Sequence, residues 1–325
     1  MHMIRWGILG AARIAEGELI PAIKQASNAE LVAVASRDAA KGQAYAEKNG
    51  IGKVYSSYED LLDSPDIDAV YIPLPNHLHA KWSIEAAKRG KHVLCEKPAA
   101  LTADETRAMV EAANQHSVLW MEAFMYQFHP QWQRVGEIID SGEIGDVKLI
   151  EAHFSFKLDR PGDIRWDPAK GGGSLYDVGS YAVHVCRALA GDEVPSQIEG
   201  AAVFKEDGMV DLTASAVMKF PNGIIAHLDS SFDVAGRQEV ELAGSKGSLV
   251  ISHAFRPDQG DAKLRITTSD GYREESVEQE NMYRLQVEHF GNAVEQGLPL
   301  RNTPEQSIRN MEIIDAIYAA AGRKE

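Results

Sequence analysis

Gly7-Ile8-Leu9-Gly10-Ala11-Ala12-Arg13-Ile14-Ala15 is the stretch on which the fold turns. An apolar run from Ile4 to Leu9 enters it, and a helical pattern from Ile14 to Gln25 leaves it. A strand that stops at small residues and passes straight into a helix opens a βαβ unit. In the three-glycine dinucleotide fingerprint, the first glycine makes the turn and the second admits a pyrophosphate close to the backbone. The third lets helix and strand pack tightly. Here Gly10 keeps the first role, while Ala12 and Ala15 occupy the other two. The helix N-terminus still aims N–H groups and the positive end of its dipole at a phosphate. Gly10, Ala11, Ala12, Arg13 and Ile14 are therefore candidate dinucleotide-binding residues, the alternative being a tight βα turn without ligand.

Outward from this turn the pattern repeats. Leu31–Ser36, Ala69–Pro73, His92–Glu96 and Val118–Met121 read as strands, separated by helical spacing over Ala39–Lys48, His79–Arg89 and Ala103–Gln115. Strands alternating with crossover helices predict a doubly wound parallel sheet, buried on both faces. After about residue 123 the texture changes to an α+β domain with a large, mostly antiparallel open sheet. A helix over Pro130–Ser141 and the alternating run Val147–Phe156 come first, then the turn Gly171–Gly173 and a helix to about Leu189. Strands and turns follow to Val277, and helices near Asn281–Gln296 and Pro304–Ala321 close the chain. The reading is a Rossmann domain over 1–122 and a substrate and oligomerisation domain over 123–325, the last helix free to pack back on the first. The active site is expected between them, at the carboxyl ends of the parallel strands.

Composition narrows the partners. A net charge of −15 argues against a nucleic-acid backbone or an anionic membrane surface. Two cysteines, Cys95 and Cys186, are too few for a disulfide framework, and no His, Cys and carboxylate cluster has metal-ligand spacing, so no metal is expected. Without a basic leader or an apolar run of membrane length, a cytoplasmic protein is expected.

Three further segments carry chemistry. Ser36-Arg37-Asp38 follows the second strand, where an acidic residue ordinarily accepts from the ribose of NAD. A hydroxyl beside a guanidinium suits a 2′-phosphate, so NADP(H) is favoured over NAD(H); the alternative leaves Arg37 in solvent and Asp38 on the ribose. Pro73-Leu74-Pro75-Asn76-His77-Leu78-His79 lies on the carboxyl edge. Its prolines stop the strand, Pro73 and Asn76 are assigned to the cofactor loop, and Asn76 also suits a helix N-cap. His79 is counted with this loop as a supporting or surface residue, not a catalytic one. Glu96-Lys97-Pro98 ends another strand and places a carboxylate and an ammonium near the expected nicotinamide; the alternative is an ion pair at a strand end.

The run Gly90-Lys91-His92-Val93-Leu94-Cys95-Glu96-Lys97-Pro98 resembles the Gly-Lys-His-Val-Leu-x-Glu-Lys-Pro motif of the glucose–fructose oxidoreductase, inositol dehydrogenase and rhizopine catabolism family (Gfo/Idh/MocA). A second family motif is matched by Gly171-Gly172-Gly173-Ser174-Leu175-Tyr176-Asp177-Val178-Gly179-Ser180-Tyr181, and Trp120-Met121-Glu122-Ala123-Phe124-Met125 adds to the resemblance. Many members have His four residues after the motif Asp; Tyr181 there is similar to the branch of NADP-dependent aldose dehydrogenases, keto-sugar reductases and dimeric dihydrodiol dehydrogenases.

The resemblance implies a catalytic pair, Lys97 and Tyr181, with Asp177 one turn before Tyr181 to orient Lys97 or bond a sugar hydroxyl. A free tyrosine, with a pKa of about 10, is a poor base near neutrality; a neighbouring ammonium favours its phenolate. Arg165, Trp166 and Asp163 are candidates for the sugar pocket, or a solvated loop with one anchoring Trp, and His184 is a candidate on the Tyr181 face. The implied activity is hydride transfer between NADP(H) and a sugar or polyol-like alcohol or carbonyl, foremost oxidation of an aldose such as D-xylose at its anomeric carbon. Alternatives are a keto-sugar or anhydro-sugar reductase, a trans-dihydrodiol dehydrogenase, and a non-catalytic dinucleotide-binding regulator. The open sheet needs cover, and the resemblance implies a homodimer or a dimer of dimers.

Overall fold

Near-continuous apolar character in the early strands reflects burial on both faces. In the computed structural model, which describes residues 3–206 and 208–324, Ile4–Leu9 (β1) is at the centre of a six-stranded sheet. Trp6, Ile8 and Leu9 of this strand have no exposed surface. Its partners are Ala29–Ala35 (β2), Lys53–Tyr55 (β3), Ala69–Ile72 (β4), His92–Cys95 (β5) and Trp120–Glu122 (β6), in the order β3-β2-β1-β4-β5-β6. Every pairing is parallel. The strand order reverses beside β1, so β1 and β4 flank the switch point where open α/β sheets bind ligands.

The chain forms two compact units, one running to Met125 and including Asn281–Ile308, the other comprising Tyr126–Glu280 and the segment from Arg309 onward. The return of Met282–Gln296 to the first unit has a packing reason. Phe290 places its ring 5.4 Å from that of Trp6, and Asn28 donates to the Glu288 carbonyl and the Asn292 side chain at 2.8 and 2.9 Å.

The second unit holds an eight-stranded sheet: Val147–Ser155 (β7), Gln197–Phe204 (β8), Asp211–Lys219 (β9), Ile225–Ser231 (β10), Arg237–Gly244 (β11), Gly247–Ile251 (β12), Lys263–Thr268 (β13) and Gly271–Ser276 (β14). Its order is β14-β13-β12-β11-β7-β10-β9-β8, and among the described residues only β7 and β10 pair parallel. Period-2 alternation sends Ile150, Ala152, Ala226, Leu228, Val240 and Leu242 inward, all fully buried. The helix Ser180–Leu189 packs on this face, against β7 and β10. On the opposite face Leu149, Val203, Val217 and Ile225 are exposed. None of the described helices is long and apolar enough to cross a membrane.

Locally the structure differs from the sequence reading in several places. β3 and the short helix Tyr58–Leu62 were not expected, because three and five residues are too few to show a period. The helix expected from Ile14 starts at Arg13 and runs through a wider π-turn over Ala15–Leu19 before returning to α-helix at Ile20. The helix after the glycine turn does the same, with a π-turn over Leu175–Gly179 ahead of Ser180.

Candidate active site

In the first unit the turn after β1 is set by Gly10, whose φ of +100° lies where side chains are strained. Its amide donates to the Ala35 carbonyl at 2.8 Å, and Tyr45 donates its hydroxyl to the Ala12 carbonyl at 2.9 Å. Ala15, in the third-glycine position, is fully buried against the sheet, so alanine is small enough there. Ala11, Ala12 and Ile14 are half-buried and Arg13 is exposed. No side chain caps the π-turn that follows Ile14. A left-handed glycine, two small residues and a helix start without a side-chain cap fit a pyrophosphate.

After β2, the Ser36 hydroxyl turns back on its own loop, donating to the Asp38 carbonyl at 2.8 Å. Asp38 caps the helix Ala39–Asn49 by accepting from the Lys41 amide at 3.0 Å. Its carboxylate is thus engaged in the helix start, while Arg37 is exposed with its guanidinium 6.0 Å from the centre of the Tyr58 ring. The donor at this edge is the cation, which suits a phosphate.

The loop after β4 departs from expectation. Pro73 is buried, and Asn76 opens a 3₁₀ turn, Asn76–Leu78, instead of capping the helix, which starts at His79 without a side-chain cap. His79 does not present a surface to a ligand. It has no exposed area, with Nδ1 2.9 Å from the Pro98 carbonyl and Nε2 2.7 Å from that of Leu74. Burial pushes its pKa below the ordinary histidine value, and the two carbonyls partly offset that. The ring thereby staples the loop after β4 to the turn carrying Lys97.

At the end of β5, Glu96 accepts from the Tyr71 hydroxyl and from the Lys97 amide. The Glu96 carboxylate is therefore oriented by a tyrosine of β4, a contact that sequence reasoning missed. Lys97 is half-buried. Cys95, directly before them, is buried, and burial raises its thiol pKa well above the usual value.

In the second unit, Asp177 lies within the π-turn and Tyr181 in the first turn of the helix that follows. Arg165 donates its Nε to Asp177 at 2.5 Å and its Nη1 to Asp163 at 3.3 Å. Asp177 in first place, then Asp163, holds this guanidinium firmly protonated against the opposing effect of burial. Asp163 also accepts from the Arg165 amide at 3.1 Å. Arg165, Asp163 and Asp177 thus form one cluster a turn before Tyr181. Trp166 is the anchor of the loop: it meets Phe232 edge-on at 5.4 Å and donates its indole N–H to the Arg160 carbonyl at 3.1 Å.

Tyr181 is only 6% exposed. Its ring is walled by Phe154, Phe255 and Tyr126, with centroids 5.4, 5.6 and 5.9 Å away. His184, buried on the same helix, has its Nδ1 2.6 Å from the Tyr126 hydroxyl. An apolar wall around one phenol, with a carboxylate–guanidinium pair one turn away, is suited to moving a proton at a polyol carbon.

Comparison with known proteins agrees with these features. Residues 4–124 match the model of an oxidoreductase family with an NAD-binding Rossmann fold, and residues 132–250 match the GFO/IDH/MocA C-terminal domain. The chain is 43% identical over 318 residues to D-xylose 1-dehydrogenase (NADP(+)) 2 of Haloferax volcanii, covering 97% of each chain. A solved 3-ketoreductase from Actinomadura kijaniata, in complex with NADP and TDP-benzene, superposes with a TM-score of 0.90 at 30% identity, over 98% of both chains. Aldose-aldose oxidoreductase from Caulobacter crescentus, complexed with glycerol, gives 0.92 at 26% identity over 99% of this chain and 98% of that one.

Proposed function

Since the chain belongs to the Gfo/Idh/MocA oxidoreductase family and acts as an oxidoreductase on sugars, we propose that it is an NADP-dependent aldose 1-dehydrogenase, with D-xylose the first substrate to try. The observation that carries this reading is the Tyr181 phenol, set in an aromatic wall one turn from the Asp177–Arg165 pair. Gly10, Ala11, Ala12, Arg13 and Ile14 would hold the pyrophosphate, Arg37 the 2′-phosphate, and the Pro73–Asn76 loop with Glu96 the nicotinamide side. Bound NADP+ supplies the hydride acceptor.

Tyr181 takes the hydroxyl proton as the anomeric carbon is oxidised, and the Lys97 ammonium favours the phenolate form that can do so. In the reverse direction the same phenol returns the proton to the developing alkoxide, with Lys97 stabilising its charge. Asp177, fixed by Arg165, accepts from a neighbouring sugar hydroxyl. NADP+ reduction across a panel of aldoses is the test. Turnover by the wild type, lost on Tyr181→Phe and Lys97→Ala with NADPH binding kept, supports the assignment; near-normal turnover by Tyr181→Phe overturns it.

A second reading, reduction of a keto-sugar, is favoured by the superposition on the 3-ketoreductase; NADPH oxidation with keto-sugars and none with aldoses would select it. The exposed apolar residues Leu149, Val203, Val217 and Ile225 on the outer sheet face support a homodimer, or a tetramer built from dimers. A monomer at micromolar concentration in sedimentation would refute that. Both thiols are free and buried, which suits the reducing cytoplasm.

A further inference from the structure

One buried carboxylate stands outside the chemistry described so far. Asp211, the first residue of β9, has no exposed surface. Its Oδ2 accepts from the Ser174 hydroxyl at 2.6 Å and from the Leu175 amide at 2.9 Å. Its Oδ1 accepts from the Tyr318 hydroxyl at 2.7 Å. Ser174 and Leu175 are the residues at which the π-turn carrying Asp177 begins. A carboxylate bonded to backbone and side-chain donors at a helix start is favoured by the dipole and forms bonds about twice as strong as neutral ones.

The surroundings are fitted to this carboxylate. Gly173 adopts a φ of +129°, and a Cβ there would collide with Asp211 Oδ1 and lie 2.9 Å from the Tyr318 hydroxyl. Ser230 of β10 is 3.0 Å from the Ser174 hydroxyl, and a Cβ on Gly179 would come within 2.9 Å of the Ser230 Oγ. The third glycine of the motif and the glycine closing the π-turn therefore make room for a polar seat under the helix. The C-terminal segment closes that seat. Arg323 lies over the Tyr318 and Tyr176 rings at 4.3 and 5.0 Å, donates to the Tyr176 hydroxyl at 2.9 Å, and donates its Nε to the Met209 carbonyl at 2.9 Å.

We propose that Asp211 is a positioning residue for proton transfer: with Ser174, Leu175 and Tyr318 it fixes the register of the π-turn and so the placement of Asp177 and Tyr181. It touches no substrate, and Tyr318 and Arg323 make the C-terminal segment part of the device. This rests on the role assigned to Tyr181, and the test separates the two. Asp211→Asn keeps the shape and leaves an acceptor for the Leu175 amide, but removes the charge.

With the full chain, kcat, KM for the best aldose and the dissociation constant for NADPH are measured. Asp211→Asn is expected to lower kcat about tenfold, with KM changed less than threefold and NADPH binding within twofold, since the cofactor residues belong to the other unit. In the Tyr181→Phe background the same substitution should cost nothing further, because the residue it acts through is gone. Should Asp211→Asn fail to fold, Tyr318→Phe removes one of the three donors and is expected to lower kcat two- to fivefold, with the same non-additivity. Full kcat in these variants, a loss confined to KM, or a loss that adds to that of Tyr181→Phe would overturn the proposal. Normal turnover by Tyr181→Phe alone would overturn the assignment of Tyr181 and the premise with it.

Discussion

Replacing His79 separates the two contacts that hold the Lys97 turn. The ring is fully buried between the Pro98 and Leu74 carbonyls. His79→Ala leaves the one carbonyl to which the neutral ring donates without its partner in a dry site, at roughly 1–3 kcal/mol for that orphaned group. A residual cavity adds to this, while the lost cost of burying an imidazole subtracts, so a net loss of about 3–5 kcal/mol is expected. Against a total of about 5–15 kcal/mol the protein still folds, with Tm lowered by roughly 6–20 °C at about 2–4 °C per kcal/mol. Asparagine brings an amide nitrogen to the Nδ1 position and keeps the bond to Pro98. Glutamine reaches the Nε2 position and offers its amide donor to the Leu74 carbonyl instead. If the hold on Pro98 places Lys97, the Asn variant retains kcat within about threefold and the Gln and Ala variants lose about tenfold, as for other misplaced catalytic groups. Thermal unfolding by circular dichroism and steady-state NADP+ reduction read the two effects. A Tm for His79→Ala within 2 °C of wild type, on that same scale, would refute the clamp. Equal kcat for all three would refute its link to Lys97.

Other outcomes follow from single features. Arg37→Ala should raise the KM for NADP+ by about tenfold while leaving NAD+ almost unchanged, given about 1.4 kcal/mol for one exposed charge-assisted contact; an unchanged NADP+ KM would remove Arg37 from the 2′-phosphate. Burial lowers the pKa values of His79, His92, His129 and His289. Unfolding therefore takes up protons below the unfolded value of about 6.5, and the stability they contribute, full above that pH, is lost as pH falls through their folded values. His153 runs the other way, because its bond to Asp229 raises its pKa: its contribution is full below about pH 6.5 and is lost as pH rises through the folded value. The urea midpoint should fall between about pH 6.5 and 5 with the same slope in wild type and His153→Gln, whereas the gap between the two should close as pH rises above about 6.5; a flat profile in the first window or a constant gap in the second would contradict the corresponding sign. Phe290→Ala, removing a fully buried ring packed on Trp6, should cost about 3–5 kcal/mol; a loss under about 1 kcal/mol would mean that Met282–Gln296 does not brace β1.

The fold class was legible because its signals are local and periodic. Apolar runs of four to seven residues at β1, β2, β4 and β5, with helical spacing between them, admit little except a parallel doubly wound sheet. β3 was hidden because Lys53–Tyr55 is short and half solvated. Asn76 illustrates a different failure: its residue type suits a cap, but the preceding prolines and the His79 staple set the loop, and the helix starts three residues later. His79 looked like a loop residue, since nothing local announces that two carbonyls, one of them 19 positions away, will enclose it. Asp211 was invisible for the same reason, at 37 positions from Ser174. Buried polar contacts of this kind depend on tertiary geometry, which a single sequence does not encode as a period or a spacing.

Those hidden contacts explain a feature shared by the two units. In each, a glycine with positive φ borders a turn of small residues, and the helix after it passes into a π-turn within its first few residues: Gly10 before Ala15–Leu19, and Gly173 before Leu175–Gly179. A π-turn fits one extra residue into the helix at a cost in hydrogen-bond geometry, and persists where the surroundings over-determine it. Here the surroundings are identifiable. Tyr45 and the buried Ala15 fix the first turn, while Asp211, Ser230 and Tyr318 fix the second. The extra residue changes which side chains follow the turn on each face of the helix, which in the second unit decides the direction of Tyr181 relative to Asp177. A one-residue deletion within 175–179 that restores a regular α-helix should therefore keep the fold and abolish turnover. It should turn Tyr181 by about 100°, the angle per residue of a helix with 3.6 residues per turn. If the deletion variant turns over aldose at more than a tenth of the wild-type rate, about 1.4 kcal/mol in the barrier, the π-turn is a packing accident with no part in placing the phenol.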